Sequence, residues 1–288
     1  MNIYWTEKNT AHNNVNCTLK KKKMNRLIWS LLFIIILGCQ STKEKKLLFI
    51  GNSLTYYNDM PKMLTEMFAE SKVNIQIMTS TYPGYSLGSH LNTIIMKGDS
   101  EMIYTRLKKE GENTATEEIL LKNDFDIVIL QEQSGLMLIP EIVNKEVSKN
   151  VLGLKDIIGS ESEILLYQNY PLNFRHPNVI CREVNSTEYC TDSLFSVDQE
   201  MKLITSGFEQ LDDGKNLVRI GEIFKYIMLN ENKINLFSDE GHPSLEGSFL
   251  IALKFYKDIT GKNCSNLKYK NKLDIKTSNK LKEIVDKV

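Results

Sequence analysis

The sequence is short of the materials that several chemistries require. Its five cysteines include no Cys-x-x-Cys pair and only four histidines accompany them, so a zinc site has little to draw on. No Gly-x-Gly-x-x-Gly or Gly-x-x-x-x-Gly-Lys-Ser/Thr stretch occurs, which argues against a phosphate-cradling loop. Net charge is absent as well. Thirty-six basic residues balance thirty-six acidic ones, so no general pull toward nucleic acid is expected. The longest apolar run, Leu27 to Leu37, covers eleven positions where about 20 are needed to span a bilayer. There is no internal repeat and no Gly/Ser linker. What is present is ordinary globular material, 42% hydrophobic, enough for one sizeable core.

The short apolar run reads as the core of a signal peptide, flanked by a Lys-rich stretch and Arg26. It stops at Ile36-Leu37-Gly38-Cys39, which resembles a bacterial lipobox. That resemblance implies cleavage before Cys39 and lipid on its sulfur. The expected organisation is a leader at 1–39, translated from Met1 or Met24, and a tether at 40–45. A catalytic-size domain follows at 46–262, with an insertion at about 172–192, then a basic extension at 263–288 read as a solvated tail. The expected location is the bacterial cell envelope, lipid-anchored and facing the periplasm. Outside the cytoplasm a disulfide between Cys181 and Cys190 is permitted, and Cys264 is then left over.

From Lys46 onward strands and helices alternate. Leu47–Ile50 is uninterrupted apolar, as expected of a strand covered on both faces. Asn58-Asp59 with Pro61 announces a helix whose Met60, Met63, Leu64, Met67 and Phe68 fall on one stripe. "VNIQIMT" is a second strand, "GYSLGSHLNTII" opens a helix, and 101–122 reads as a polar helix. "DFDIVILQEQS" and "EILLYQNYP" are further strands, with helix expected over 140–158 and 197–211. "KNLVRIGEIFKYI" holds a last strand and a helix start, and "HPSLEGSFLIALKFYKDITG" is the closing helix. This order predicts an α/β fold, a three-layer α/β/α sandwich around a central parallel sheet.

In such a sheet ligands meet the carboxyl ends of the strands. "IGNSLT" places Ser53 just past one. A serine hydroxyl is a weak nucleophile until an imidazole takes its proton, and that imidazole needs an acceptor to fix its tautomer. "SDEGHPSLEG" supplies both: Asp239 and His242, three apart on one loop ahead of a helix. The same residues read as ordinary turn and cap positions when each motif is taken alone; the combination points to acyl transfer.

The ordered set "GNSLTYYNDMP", "PGYSLGSH", "DIVILQEQS" and Asp-x-x-His-Pro resembles the SGNH (GDSL-type) hydrolase superfamily, in its flavodoxin-like fold. It looks most like a domain-of-unknown-function branch of Bacteroidetes-type lipoproteins, over about 46–262. The resemblance implies Ser53 as nucleophile, His242 as general base and acid, and Asp239 as its partner. It further implies an oxyanion hole of the Ser53 N–H, the Gly84 N–H and a polar side chain. The usual Gly-x-Asn-Asp of the third block is absent, and "LQEQSG" stands there. Gln131 is the first choice for that donor and Gln133 the second; Glu132 is read as a solvent-facing loop carboxylate.

Asn52 and His90 are candidate substrate-lining residues, with His90 equally readable as structural. Tyr56, Tyr57, Tyr82, Tyr85 and Tyr170 near strand ends read as packing before a sugar-stacking rim. The expected function is a serine esterase with no metal and no organic cofactor, acting on O-acylated, in particular acetylated, carbohydrates. The alternatives are a non-catalytic glycan-binding protein on the same fold and an acyltransferase.

Overall fold

A computed structural model describes residues 43–97, 103–212, 215–231 and 233–288; the leader and Cys39 lie outside these. Five strands form the central sheet: β1 (Lys45–Gly51), β2 (Ile75–Thr81), β5 (Ile127–Leu130), β6 (Glu163–Tyr167) and β9 (Leu217–Val218). Their spatial order is β2-β1-β5-β6-β9 and every pairing is parallel. The chain therefore builds outward in opposite directions from β1 and β5. Such a reversal opens a crevice at the carboxyl ends of those two strands.

Both faces of the sheet are covered, which is why the β1 run is apolar without alternation. Leu47 and Phe49 point into one core with α2 (Met60–Glu70), α9 (Ile220–Asn230) and α10 (Leu245–Thr260). Leu48 and Ile50 point into the other core. It is shared with α3 (Leu87–Asn92), α5 (Ser134–Met137), α6 (Pro140–Ile142), α7 (Ser148–Ile158) and α8 (Val197–Asp212). Cys264 is buried in the first core, its thiol donating to the Leu253 carbonyl at 3.3 Å.

Three regions depart from expectation. The predicted helix at 101–122 is helical only at α4 (Ala115–Lys122), where a Thr114/Glu117 capping box starts it. Ahead of it β3 (Thr93–Lys97) and β4 (Ile103–Leu107) pair antiparallel outside the main sheet. The β-branched run Thr93-Ile94-Ile95 ends α3 and favours the pleated backbone. The insertion also carries order: β7 (Cys181–Val184) and β8 (Thr187–Cys190) form a hairpin in which the two sulfurs are bonded.

The basic C-terminal residues are not a solvated tail. They form α11 (Ile275–Lys287), capped by Asp274, whose carboxylate accepts from the Lys276 and Thr277 N–H groups at 3.0 Å. Leu281, Ile284 and Val285 are buried against the first core. Burying three such side chains is worth on the order of 5 kcal/mol before ordering entropy is counted. The lysines suit that end of the chain: Lys257 Nζ donates to the Val285 and Asp286 carbonyls at 2.8 and 2.7 Å. Lys282, itself buried, reaches the Leu267 carbonyl at 2.7 Å. Among the described residues no helix is long and apolar enough to cross a membrane.

Candidate active site

Ser53 is the first residue of the short helix α1 (Ser53–Tyr56), immediately beyond β1. Asn52 caps that helix: its side-chain oxygen accepts the Leu54 N–H at 3.1 Å, and its amide nitrogen donates to the Tyr85 carbonyl at 2.8 Å. The Asn52 backbone N–H donates to Gln131 Oε1 at 2.8 Å. Gly51 is required by that contact, because a Cβ there would lie 2.5 Å from Gln131 Oε1. The serine hydroxyl is thereby held at the crevice mouth.

The other half of the site comes from the opposite end of the domain. Between Leu236 and α10 the chain doubles back on itself. The Ser238 N–H donates to the His242 carbonyl at 3.0 Å and the Ser244 N–H to the Leu236 carbonyl at 2.9 Å. His242 Nε2 lies 2.9 Å from Ser53 Oγ, across 189 positions of sequence. His242 Nδ1 lies 2.8 Å from Asp239 Oδ2. Since a carboxylate can only accept, Nδ1 carries the proton and Nε2 presents its lone pair to the serine. Asp239 Oδ1 accepts the Gly241 and His242 N–H groups at 2.8 and 2.7 Å. Burial works to raise the Asp239 carboxyl, but those N–H bonds and the imidazole outweigh it and hold the group below the usual aspartate value. Tyr57 stacks on the imidazole, ring centroids 4.4 Å apart and 16° from parallel. Sequence reading assigned this ring to packing and missed that contact.

A cleft of about 170 Å³ opens beside the serine, lined among others by Asn52, Gly84, Gln133, Leu172, Arg182 and His242. Gly84 sits in the turn Tyr82–Tyr85, closed by the Tyr85 N–H on the Tyr82 carbonyl at 3.3 Å. Pro83 takes the second position and Gly84 the third, at φ +66°, a left-handed conformation that glycine adopts freely.

Gln131, the first choice for the oxyanion donor, is turned the other way. It is fully buried, its oxygen taken by the Asn52 N–H and the Thr55 hydroxyl and its nitrogen by the Glu132 carbonyl. The reason is the missing Cβ at Gly51, which leaves a slot for the Gln131 side chain beside β1. Gln133 is the side chain that reaches the cleft, where one amide N–H donates to the Gly84 carbonyl.

Glu132 is corrected too. It is buried, not solvent-facing, and its carboxylate accepts the Gln133 N–H at 2.7 Å and the Leu87 N–H at 3.2 Å. It thus ties the loop after β5 to the loop after β2. Burial pushes its carboxyl up to about 7, against the pull of those two N–H groups. Asn169 adds a third tie, donating to the Glu132 carbonyl at 2.7 Å and to Ser134 Oγ at 2.9 Å.

His90 does not line the cleft. It is buried between β1 and α4, with Nε2 at 2.9 Å from the Gly51 carbonyl and Nδ1 at 2.7 Å from Thr116 Oγ1. A carbonyl cannot donate, so Nε2 carries the proton and Nδ1 accepts from Thr116. Burial lowers its pKa to about 4, the bond to Gly51 notwithstanding, so the ring is neutral at physiological pH. Tyr170 is packing, stacked on Phe224 at 4.1 Å with its hydroxyl on the Gly241 carbonyl.

Neither a family model nor a curated protein matches the chain. Solved structures do. A DUF4886 family protein from Bacteroides uniformis superposes with a TM-score of 0.60 at 16% identity, covering 85% of this chain and 94% of its own. The two share a fold. At lower similarity stand a family 3 carbohydrate esterase from Clostridium thermocellum (TM-score 0.46, 14% identity, 75% of this chain and 97% of its own) and TesA (0.47, 10%, 75% and 99%).

Proposed function

We propose that the protein is a serine ester hydrolase of the SGNH type, acting through Ser53, His242 and Asp239. The observation that carries this reading is the continuous proton path from Ser53 Oγ through the His242 ring to Asp239, at 2.9 and 2.8 Å. Both distances are within the range that general-base catalysis needs.

His242 Nε2 takes the Ser53 proton as Oγ bonds to the ester carbonyl carbon. The carbonyl oxygen then bears the charge, and in this reading the Ser53 and Gly84 N–H groups, both from residues lining the cleft, are its backbone donors. The second amide N–H of Gln133 is the side-chain donor, in place of Gln131. As the intermediate collapses, the carbon–oxygen bond to the alcohol breaks and Nε2 returns the proton to the departing oxygen. Water next gives a proton to Nε2 while its oxygen bonds to the acyl carbon. The Ser53 ester bond breaks, the acid leaves, and the serine recovers its proton. Asp239 stays ionised throughout and holds the imidazolium. The small open cleft suits a short acyl group such as acetyl on a larger, solvent-exposed alcohol, for which an O-acylated carbohydrate is the proposed class. Lipid at Cys39, anchoring the enzyme in the envelope, belongs to the same proposal; an intact leader in the mass spectrum of the mature protein would remove it.

The test is a fluorophosphonate probe on the purified protein. Labelling at Ser53 that vanishes in Ser53→Ala and in His242→Ala supports the reading. A folded protein that takes no label, and hydrolyses no acetylated sugar, is a binding protein instead.

A further inference from the structure

The hairpin in the insertion brings one side chain into the cleft that the reaction above does not use. Arg182, on β7, lines the same cleft as Ser53 and His242. Its guanidinium lies directly over Gly135 of α5: a Cβ at that glycine would be 2.2 Å from Nε, 2.3 Å from Nη2 and 2.4 Å from Cζ. Glycine at 135 is thus the condition for the arginine's position. The hairpin that presents it is closed at its open end by the Cys181–Cys190 bond, adjacent to Arg182 itself. Its tip is held by Asn185 Nδ2 on Glu146 Oε1 at 3.1 Å.

Within the described residues the Arg182 head makes one hydrogen bond, from Nη1 to the Cys181 carbonyl at 2.7 Å, and pairs with no carboxylate. Guanidinium carries five N–H donors and is charged at any working pH. Among the described residues it is also the one fixed charge lining the cleft. The carboxylates nearby are engaged elsewhere: Asp239 with His242 and its own loop, Glu132 with the Leu87 and Gln133 N–H groups. A partly buried cation left without a counter-ion beside a nucleophile is a site for an anion that arrives with the substrate.

We propose that Arg182 is a specificity determinant that binds a carboxylate carried by the substrate next to the scissile ester, so that the preferred substrates are O-acylated acidic sugars. This rests on the esterase reading above and adds the charge of the substrate to it. The carboxylate accepts N–H bonds from the guanidinium in the ground state and in the transition state alike, so its contribution falls mainly on KM.

The experiment compares initial rates of acetate release from an O-acetylated methyl hexuronoside and from the methyl ester of the same compound, in which the charge is masked, using the full-length protein. A sulfated acetyl-hexoside forms a third arm, separating a site for any oxyanion from one for carboxylate. Expected is a kcat/KM at least about tenfold higher for the carboxylate than for its neutral ester, carried by KM. That ratio falls to near one in Arg182→Gln and is partly kept in Arg182→Lys. Equal rates on the two esters, a ratio unmoved by Arg182→Gln, or a stronger preference for sulfate overturns the proposal. So does failure to hydrolyse the uronoside by protein whose Ser53 is labelled by fluorophosphonate. Absence of that label is a different result, since it removes the esterase reading itself.

Discussion

Asn58 donates from Nδ2 to the Pro243 carbonyl at 2.9 Å and to Ser248 Oγ at 3.0 Å, so the segment bearing the nucleophile is bonded to the segment bearing the base. The backbone at Asn58 is left-handed, φ +52°, and Asp59 follows at +58°. These values lie where asparagine and aspartate are the best tolerated of the residues with a side chain. In sequence the pair announced the start of a helix. In the structure neither side chain caps α2, and the kink they form aims Asn58 across the site.

Asn58→Ala is therefore expected to act on geometry. It removes both bonds and puts a β-carbon residue without a polar tip in a left-handed conformation, for a cost of about 1–2 kcal/mol in stability. The rate of Ser53 labelling should drop by about tenfold, since the Ser53–His242 distance is no longer fixed from both sides. Asn58→Gly, which relieves the backbone but not the lost bonds, should recover stability and not the rate. Thermal denaturation and labelling kinetics on the same samples check both; full recovery of the rate in the glycine variant would assign Asn58 to the backbone alone.

Tyr57 covers one face of the His242 ring and limits its rotation out of the serine's reach. Tyr57→Phe keeps the covering ring and should retain most of the labelling rate. Tyr57→Ala uncovers the imidazole and should lose several-fold, about 1 kcal/mol in activation free energy. Stopped-flow or quenched labelling measures the difference, and equal rates in the two variants would show that the stacking has no bearing on the base.

The two glutamines of the third motif should separate cleanly. Gln131 is buried and its amide accepts from Asn52 and Thr55, so Gln131→Ala strands both donors and leaves a cavity beside Gly51. A loss of about 2–4 kcal/mol in stability is expected, seen as a lower melting temperature. Gln133 is half-buried at the cleft, and Gln133→Ala should leave melting nearly unchanged while lowering kcat by about ten- to a hundredfold. The opposite pattern would restore Gln131 as the catalytic donor.

The meeting of Ser53, His242 and Asp239 and the parallel sheet were legible because their signals are local. Ser53 follows an apolar run, Asp239 and His242 share a loop, and parallel strands buried on both faces are spelled out as continuous aliphatic stretches. Gln131 against Gln133 was not legible. The strand ends at Leu130, and beyond it the alternation of side-chain directions no longer holds. What decides the matter is a missing Cβ eighty positions away, at Gly51. Arg182 over Gly135 and Asn58 on Pro243 are likewise contacts between distant segments with no periodic trace. In α11 the lysine-rich composition pointed to a solvated tail, and the helical spacing of Leu281, Ile284 and Val285 went unread. The lysines and the stripe turn out to serve the same helix.

Glu200 and Glu132 set the expected dependence of stability on pH. Glu200 Oε1 accepts the Leu172 N–H at 2.6 Å, while Oε2 is buried with no hydrogen-bond partner. Burial raises its carboxyl to about 7, against the pull of the Leu172 N–H, the same value as Glu132. A carboxyl whose folded value lies above its unfolded value holds its proton longer in the native state. Stability from such a group is therefore complete below the unfolded value near 4.5 and is lost as pH rises through the folded value near 7. Each contributes on the order of 3 kcal/mol across that window. His90 opposes them: its folded value is depressed to about 4, so the native state gains on the unfolded one as pH rises from there through the usual histidine range. Between pH 5 and 6.5 two carboxyls work against one imidazole, and above 6.5 the imidazole no longer changes. The carboxyls held low by partners, Glu112, Asp239, Asp274 and Asp286, act only below this window. Net stability should fall from pH 5 to pH 8, and thermal denaturation across that range reads it. Glu200→Gln keeps the acceptor for Leu172 and removes one of the two titrating carboxyls, so its melting temperature should fall by clearly less over the same interval. A variant with the wild-type slope would mean that Glu200 enters the folded state already ionised.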